Sequence, residues 1–119
     1  MTTREIGIFG ERAAAKYLRE QGYLLLAHGY RCRFGEIDLI AKKGDTLAFV
    51  EVKLRSPKSY GLPREAVDAV KQEKLRKTAL SYLAENNLDV PARFDVAEVY
   101  VAVKDTPQIE RMEYIENAF

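Results

Sequence analysis

Cysteine and histidine are almost missing from this sequence: Cys32 and His28 are the sole residues of their kinds. One thiol cannot close an internal disulfide, and one thiol with one imidazole cannot build a Cys/His zinc cage within a chain. No apolar run approaches the roughly 20 residues that a membrane-spanning helix needs, so no membrane association is expected. No long apolar stretch follows the first basic residue, Arg4, which makes the cytoplasm the expected location. A charge bias is lacking too. Nineteen basic residues against eighteen acidic ones leave a net charge of +1, unlike the strongly basic balance of many nucleic-acid binders.

What is present is an ordinary globular composition, 47% hydrophobic and 31% charged, without low-complexity tracts or repeats. A chain of 119 residues is near the commonest size for one compact domain, so a single domain over residues 1–119 is expected. The charges are unevenly spread. Val52 to Lys77 holds eight Lys/Arg against three acids, whereas Asp105 to Phe119 holds four acids and one Arg. A basic middle and an acidic tail point to one polyanion-facing side, although a solvated helix face gives the same count.

Hydrophobic periodicity predicts a helix from Thr2 to Gln21, capped by Thr2 or Thr3 and stopped by Gly22. Its polar side carries Glu5, Arg12, Lys16, Arg19 and Glu20; small residues at Gly7, Gly10 and Ala14 would allow close packing on a sheet. Glu11 falls inside the apolar stripe, between Ala15 and Leu18. Tyr23–Ala27, Gly35–Ala41 and Leu47–Leu54 read as strands, the last two joined as a hairpin. Ser56–Pro63 reads as a loop, Arg64–Glu85 as a second helix ended by Asn86-Asn87, and Arg93–Val103 as a valine-rich strand. Ile109–Ile115 is a candidate edge strand. The order α-β-β-β-α-β, with a final β, predicts an α/β (α+β) fold with a mixed central sheet flanked by helices.

The hairpin carries the chemistry. A two-residue Gly44-Asp45 turn sets Lys43 opposite Thr46, and the same register sets Asp38 opposite Glu51 and Glu36 opposite Lys53. These four would share one face, with Ile37, Leu39, Ala41, Ala48, Val50, Val52 and Leu54 on the other. Facing carboxylates repel unless a positive charge lies between them. A Mg²⁺ or Mn²⁺ ion answers this, held by one or two carboxylates with water and phosphate oxygens, and a nearby Lys can touch the phosphate. Ordinary cross-strand ion pairs on a solvent-facing sheet would show the same alternation, and that reading stays open for Asp38, Glu51 and Lys53 alone. Against it, the polar face also holds Ile40 and Phe49, and Glu11 and Lys71 sit on apolar stripes of their helices. Lys71 falls beside Val67, Leu75, Thr78 and Tyr82; charged groups seldom go inside unless paired or metal-bound.

The runs Gly35-Glu36-Ile37-Asp38-Leu39-Ile40-Ala41 and Phe49-Val50-Glu51-Val52-Lys53-Leu54-Arg55 strongly resemble the YraN-like family of small bacterial proteins. Gly10-Glu11-Arg12-Ala13-Ala14, Tyr17-Leu18, the Ala66-Val67 to Lys71 spacing and Arg93-Phe94-Asp95-Val96 extend the match over most of the chain. The resemblance implies a restriction-endonuclease-like fold with an aspartate on one strand and E-x-K on the next. The pattern is similar to that of archaeal Holliday-junction resolvases, which add a glutamate from the first helix. By position, the resemblance makes Asp38, Glu51 and Glu11 metal ligands for Mg²⁺ or Mn²⁺, with Lys53 assisting the nucleophile and phosphate. Lys71 resembles the helical polar residue that related nucleases place beside the site. Where the superfamily pattern often has Pro before the aspartate, this chain has Ile37.

The functional expectation is a metal-dependent endonuclease with nucleic acid, foremost DNA and including branched DNA, as its partner. Arg55, Lys58, Arg64 and Lys74 would contact phosphates, and affinity would fall steeply with salt. The alternatives are a non-catalytic nucleic-acid-binding or adaptor protein that keeps the fold, and a protein-interaction module read through the acidic tail. A homodimer would suit cleavage of two strands. Asp95 divides between a structural and a site role, and Glu36 is expected to pair with Lys53 or Arg55. His28 and Cys32 are expected to be surface and inert respectively, Tyr17, Tyr82 and Tyr100 to be core or boundary residues, and Tyr60 could meet a base or sugar.

Overall fold

The computed structural model describes residues 2–56 and 67–119. Most of the expected loop, with Lys58 and Tyr60, and Arg64 at the expected start of the second helix lie outside the described residues. Helix α1 (Thr3–Glu20) opens on a capping box: the Thr2 hydroxyl accepts the Glu5 N–H, and the Glu5 carboxylate accepts the Thr2 N–H. Gly22, at φ +90°, turns the chain out of the helix. Strands β1 (Leu24–Cys32), β2 (Gly35–Lys43) and β3 (Thr46–Arg55) follow, then α2 (Ala69–Glu85), β4 (Ala92–Val103) and β5 (Pro107–Ile115).

The strands form one sheet in chain order, antiparallel throughout except for the parallel β3–β4 pair. A parallel pair needs a crossover between its strands, and α2 lies in that connection. Against one face, α1 packs Ala14 and Leu18 on Leu39, Ala41, Ala48 and Val50. Against the other, α2 packs Leu75, Ala79 and Tyr82 on Ile37, Ile40, Leu47 and Phe49. This α-β-β-β-α-β-β arrangement, a mixed sheet between helices, is consistent with a restriction-endonuclease-like core. Among the described residues no helix is long and apolar enough to cross a membrane.

Two boundaries move by five residues from the sequence reading. β1 continues past Ala27 to Cys32 because its polar half is held by ladder pairs to β2, such as His28 with Leu39 and Tyr30 with Ile37, rather than by apolar alternation. It also carries a bulge at Leu26. α2 starts at Ala69 instead of Arg64, since the Asp68 carboxylate accepts the Lys71 N–H at 2.8 Å and caps the helix there. Of the small residues on α1, Gly10 is the one that matters for close approach: a Cβ there would overlap the Leu54 side chain, while one at Gly7 would meet nothing.

Candidate functional site

The hairpin forms in the expected register. Gly44 takes the positive φ (+59°) that a two-residue turn requires, and Lys43 faces Thr46. The ladder then runs through Lys42 with Leu47, Ala41 with Ala48 and Ile40 with Phe49, as far as Leu39 with Val50. There it ends, although β2 begins four residues earlier and β3 runs five residues further. Asp38 therefore does not pair with Glu51, nor Glu36 with Lys53, as ladder partners. The Asp38 carboxylate instead accepts the Val52 N–H at 2.8 Å, taking the place of a backbone acceptor. The pleat changes phase at the same point. Ile37 packs with Ile40 on the α2 side, while Leu39 and Ala41 face α1, so the continuous apolar face expected from alternation is broken.

This splay lets residues from both helical layers meet. From α1, Glu11 reaches the Asp38 carboxyl, and the hydrogen bond between them is one of the contacts that shift both groups. From α2, the Lys71 ammonium lies 3.7 Å from Glu51 Oε1. Lys71 is half-exposed, so it reaches the site from the surface and is not the buried lysine its helical position suggested. Lys53 lies next to Glu98 across the parallel ladder, and its charge acts on Glu51. The structure thus brings together Glu11, Asp38, Glu51, Lys53 and Lys71.

The carboxyl groups are strained electrostatically. Burial pushes Glu51 up to about 7, the Asp38 charge adds to this, and Lys71 and Lys53 only partly oppose it. Asp38 is raised as well, chiefly by burial, with the Val52 hydrogen bond acting the other way. Glu11 is raised by burial and then by the charges of Asp38 and Glu36. The cluster holds more negative charge than its lysines compensate. Among the described residues no group of three or more His, Cys, Asp or Glu side chains forms a ready metal cage. Asp38 and Glu51 remain a two-carboxylate set, the number Mg²⁺ takes when water and phosphate complete its shell.

Other expectations resolve differently. Glu36 pairs with Arg31 at 2.9 Å, its cross-strand partner on β1, because β2 has already left β3 at that level. Arg55 turns inward to Glu98 at 3.0 Å instead of presenting itself to a phosphate. Lys74 is exposed on α2, open to a ligand, while Lys58 and Arg64 lie outside the described residues. Glu98, 1% exposed, was missed; its signal was a lone charge between Ala97 and Val99 in an apolar strand. Asp95 is fully buried and structural. It accepts from Arg93 Nε at 3.0 Å, the Tyr114 hydroxyl at 2.5 Å and the Asn117 N–H at 3.0 Å, tying β4 to β5 and the C-terminal turn. Tyr82 and Tyr100 are buried, Tyr17 is half-buried, and His28 is exposed on β1. Cys32 is half-buried, its sulfur accepting the Phe34 N–H.

Residues 10–99 match the family described as "Uncharacterised protein family UPF0102". The chain belongs to that family. The match takes in Glu11, Asp38, Glu51, Lys53 and Lys71 together, and so all of the site's members. A UPF0102 protein of Syntrophus aciditrophicus is 52% identical over 95% of this chain and 87% of its own length. Those of Alkaliphilus metalliredigens and Clostridioides difficile are each 44% identical, the first over 98% of this chain and 99% of its own length, the second over the whole of both. This UPF0102 chain is therefore matched along nearly its full length by relatives of the same size.

Proposed function

We propose that this UPF0102 protein is a Mg²⁺- or Mn²⁺-dependent endonuclease that binds nucleic acid, foremost DNA, and hydrolyses its phosphodiester bonds. The observation that carries this reading is the meeting of Asp38, Glu51 and Lys53 at the point where β2 and β3 part. The residues fit a divalent cation on chemical grounds: two oxygen-donor side chains lie in a half-buried place where burial, and then the charge of Asp38, push the Glu51 carboxyl up to about 7. Asp38 and Glu51 would hold the ion. When bound, it supplies Lewis acidity toward the phosphate and lowers the pKa of a water molecule.

The protein's own groups do the rest. The Val52 N–H fixes one oxygen of Asp38 and so orients the carboxylate. Lys71 draws the Glu51 proton off by favouring its charged form, and Lys53 acts in the same direction. Lys53 faces the phosphate and steadies the charge that builds as water attacks. Glu11, hydrogen-bonded to Asp38, is placed to accept a proton or to complete the carboxylate set. Lys74 lies on the exposed side of α2, where neighbouring phosphates can meet it. A dimer would bring two such sites to two strands.

One observation favours the second reading, a nucleic-acid-binding or adaptor protein without turnover: no three-ligand metal cage is present among the described residues. Cleavage separates the two. Labelled duplex, flap, junction and single-stranded DNA are incubated with the protein and Mn²⁺ or Mg²⁺. The nuclease reading predicts nicked products that vanish with EDTA and with Asp38→Asn. Binding of the same substrates without any product under either metal supports the adaptor.

A further inference from the structure

On the opposite side of the sheet from α2, helix α1 and edge strand β1 enclose an open cleft of about 690 Å³. Its base is apolar, formed by Ile8, Ala15, Leu25, Leu26 and Leu39. Its rim carries three arginines of α1, Arg4, Arg12 and Arg19, with His28 on β1. All three arginines are exposed, and none forms an ion pair with a carboxylate among the described residues. Glu11, the one acid lining the cleft, is also the residue hydrogen-bonded to Asp38. Glu11 is therefore the residue that the cleft and the site share.

We propose that this cleft receives an unpaired nucleic-acid strand, one or two nucleotides beside the bond to be cleaved, with phosphates on Arg4, Arg12 and Arg19 and a base or sugar on the apolar base. Size favours a single strand. The volume lies in the range of pockets that enclose a small ligand, and a duplex is far too wide to enter a groove between one helix and its neighbouring strand. Charge favours a polyanion, since three guanidinium groups with no ion-pair partner among the described residues face one carboxylate. The mixture favours nucleic acid over a simple anion, because single-strand sites combine a basic track with apolar surface for the bases. The proposal rests on the nuclease reading for its account of the strand's direction, toward Asp38. The binding step stands apart from turnover.

The test is fluorescence anisotropy with labelled oligodeoxythymidylate of eight residues, in EDTA so that cleavage plays no part. Wild-type protein is compared with Arg12→Gln/Arg19→Gln and, as a probe of the apolar base, Leu26→Asp; thermal melts establish that each variant is folded. We expect saturable binding, at least tenfold weaker in both variants, and a double-variant salt dependence shallower by about 1.4 in log–log slope. Unlabelled duplex should compete at least tenfold less well than unlabelled single strand. Equal competition by duplex, or variants that bind like wild type, overturns the cleft. The two proposals also fail separately. Normal oligonucleotide binding with no cleavage of any substrate under Mn²⁺ removes the nuclease and leaves the cleft. Cleavage of flap DNA by the arginine variant at the wild-type rate removes the cleft and leaves the nuclease.

Discussion

The Asp38 carboxylate accepts the backbone N–H of Val52 at the level where β2 and β3 cease to pair. One side chain thus both ends the ladder and faces the cluster it helps to form. Asp38→Asn keeps an acceptor for that N–H, so the variant should fold like wild type while losing cleavage by about 100-fold or more. Asp38→Ala leaves the Val52 N–H without its acceptor and should cost about 1–3 kcal/mol in urea unfolding. Equal stability of the two variants would contradict the structural half of this role.

Glu51 gives the metal-free protein an unusual pH dependence. Its folded pKa of about 7 is above the ordinary value of 4.5, so the native state holds the proton more tightly than the unfolded chain. The penalty is absent below pH 4.5, grows as pH rises toward 7, and is complete above it. Glu51→Gln should therefore stabilise the metal-free protein at pH 8, by at most about 3 kcal/mol, and leave it nearly unchanged at pH 4. Unfolding curves of both proteins in EDTA across that range measure the difference.

Lys71 favours the charged form of Glu51 from a half-exposed position. Lys71→Ala should raise the Glu51 pKa further and shift the pH midpoint of Mn²⁺ binding upward, with little loss of stability. Titrating Mn²⁺ affinity between pH 6 and 9 in both proteins reads this directly. A midpoint unmoved by the substitution would separate Lys71 from the site.

Asp95 should behave quite differently. Asp95→Ala leaves the half-buried Arg93 guanidinium with only Tyr23 and Glu116, and the Tyr114 hydroxyl and Asn117 N–H without their acceptor, and should destabilise by about 3 kcal/mol. Mn²⁺ affinity of the folded fraction, measured at low temperature, should be unchanged, because its partners lie on β4, β5 and the C-terminal turn.

Helix α1, the hairpin turn with its first pairs, and β4 were legible because each rests on local signals: the cap at Thr2, the Gly44-Asp45 turn and the valine alternation of β4. Asp38, Glu51 and Lys53 lie beyond the paired part of the hairpin, so alternation drew attention to them without giving their arrangement. What escaped was set by departures from that alternation. The parting of β2 from β3 moved Ile37 to the α2 side and gave Glu36 to Arg31, and no local pattern marks a ladder that stops midway along two continuing strands. The partnership of Arg55 with Glu98 depends on the parallel β3–β4 register, which spans the whole α2 crossover. The cleft beside α1 was hidden because arginines on a polar helix face read as solvated until a neighbouring strand encloses them.

The most direct test of the central claim is isothermal calorimetry of Mn²⁺ binding at pH 8 by wild type, Asp38→Asn and Glu51→Gln, each with and without a non-cleavable DNA. Saturable binding by wild type that disappears in both variants is the predicted result. Absence of saturable binding in every wild-type titration, or binding that survives both substitutions, would contradict a metal site built on Asp38 and Glu51.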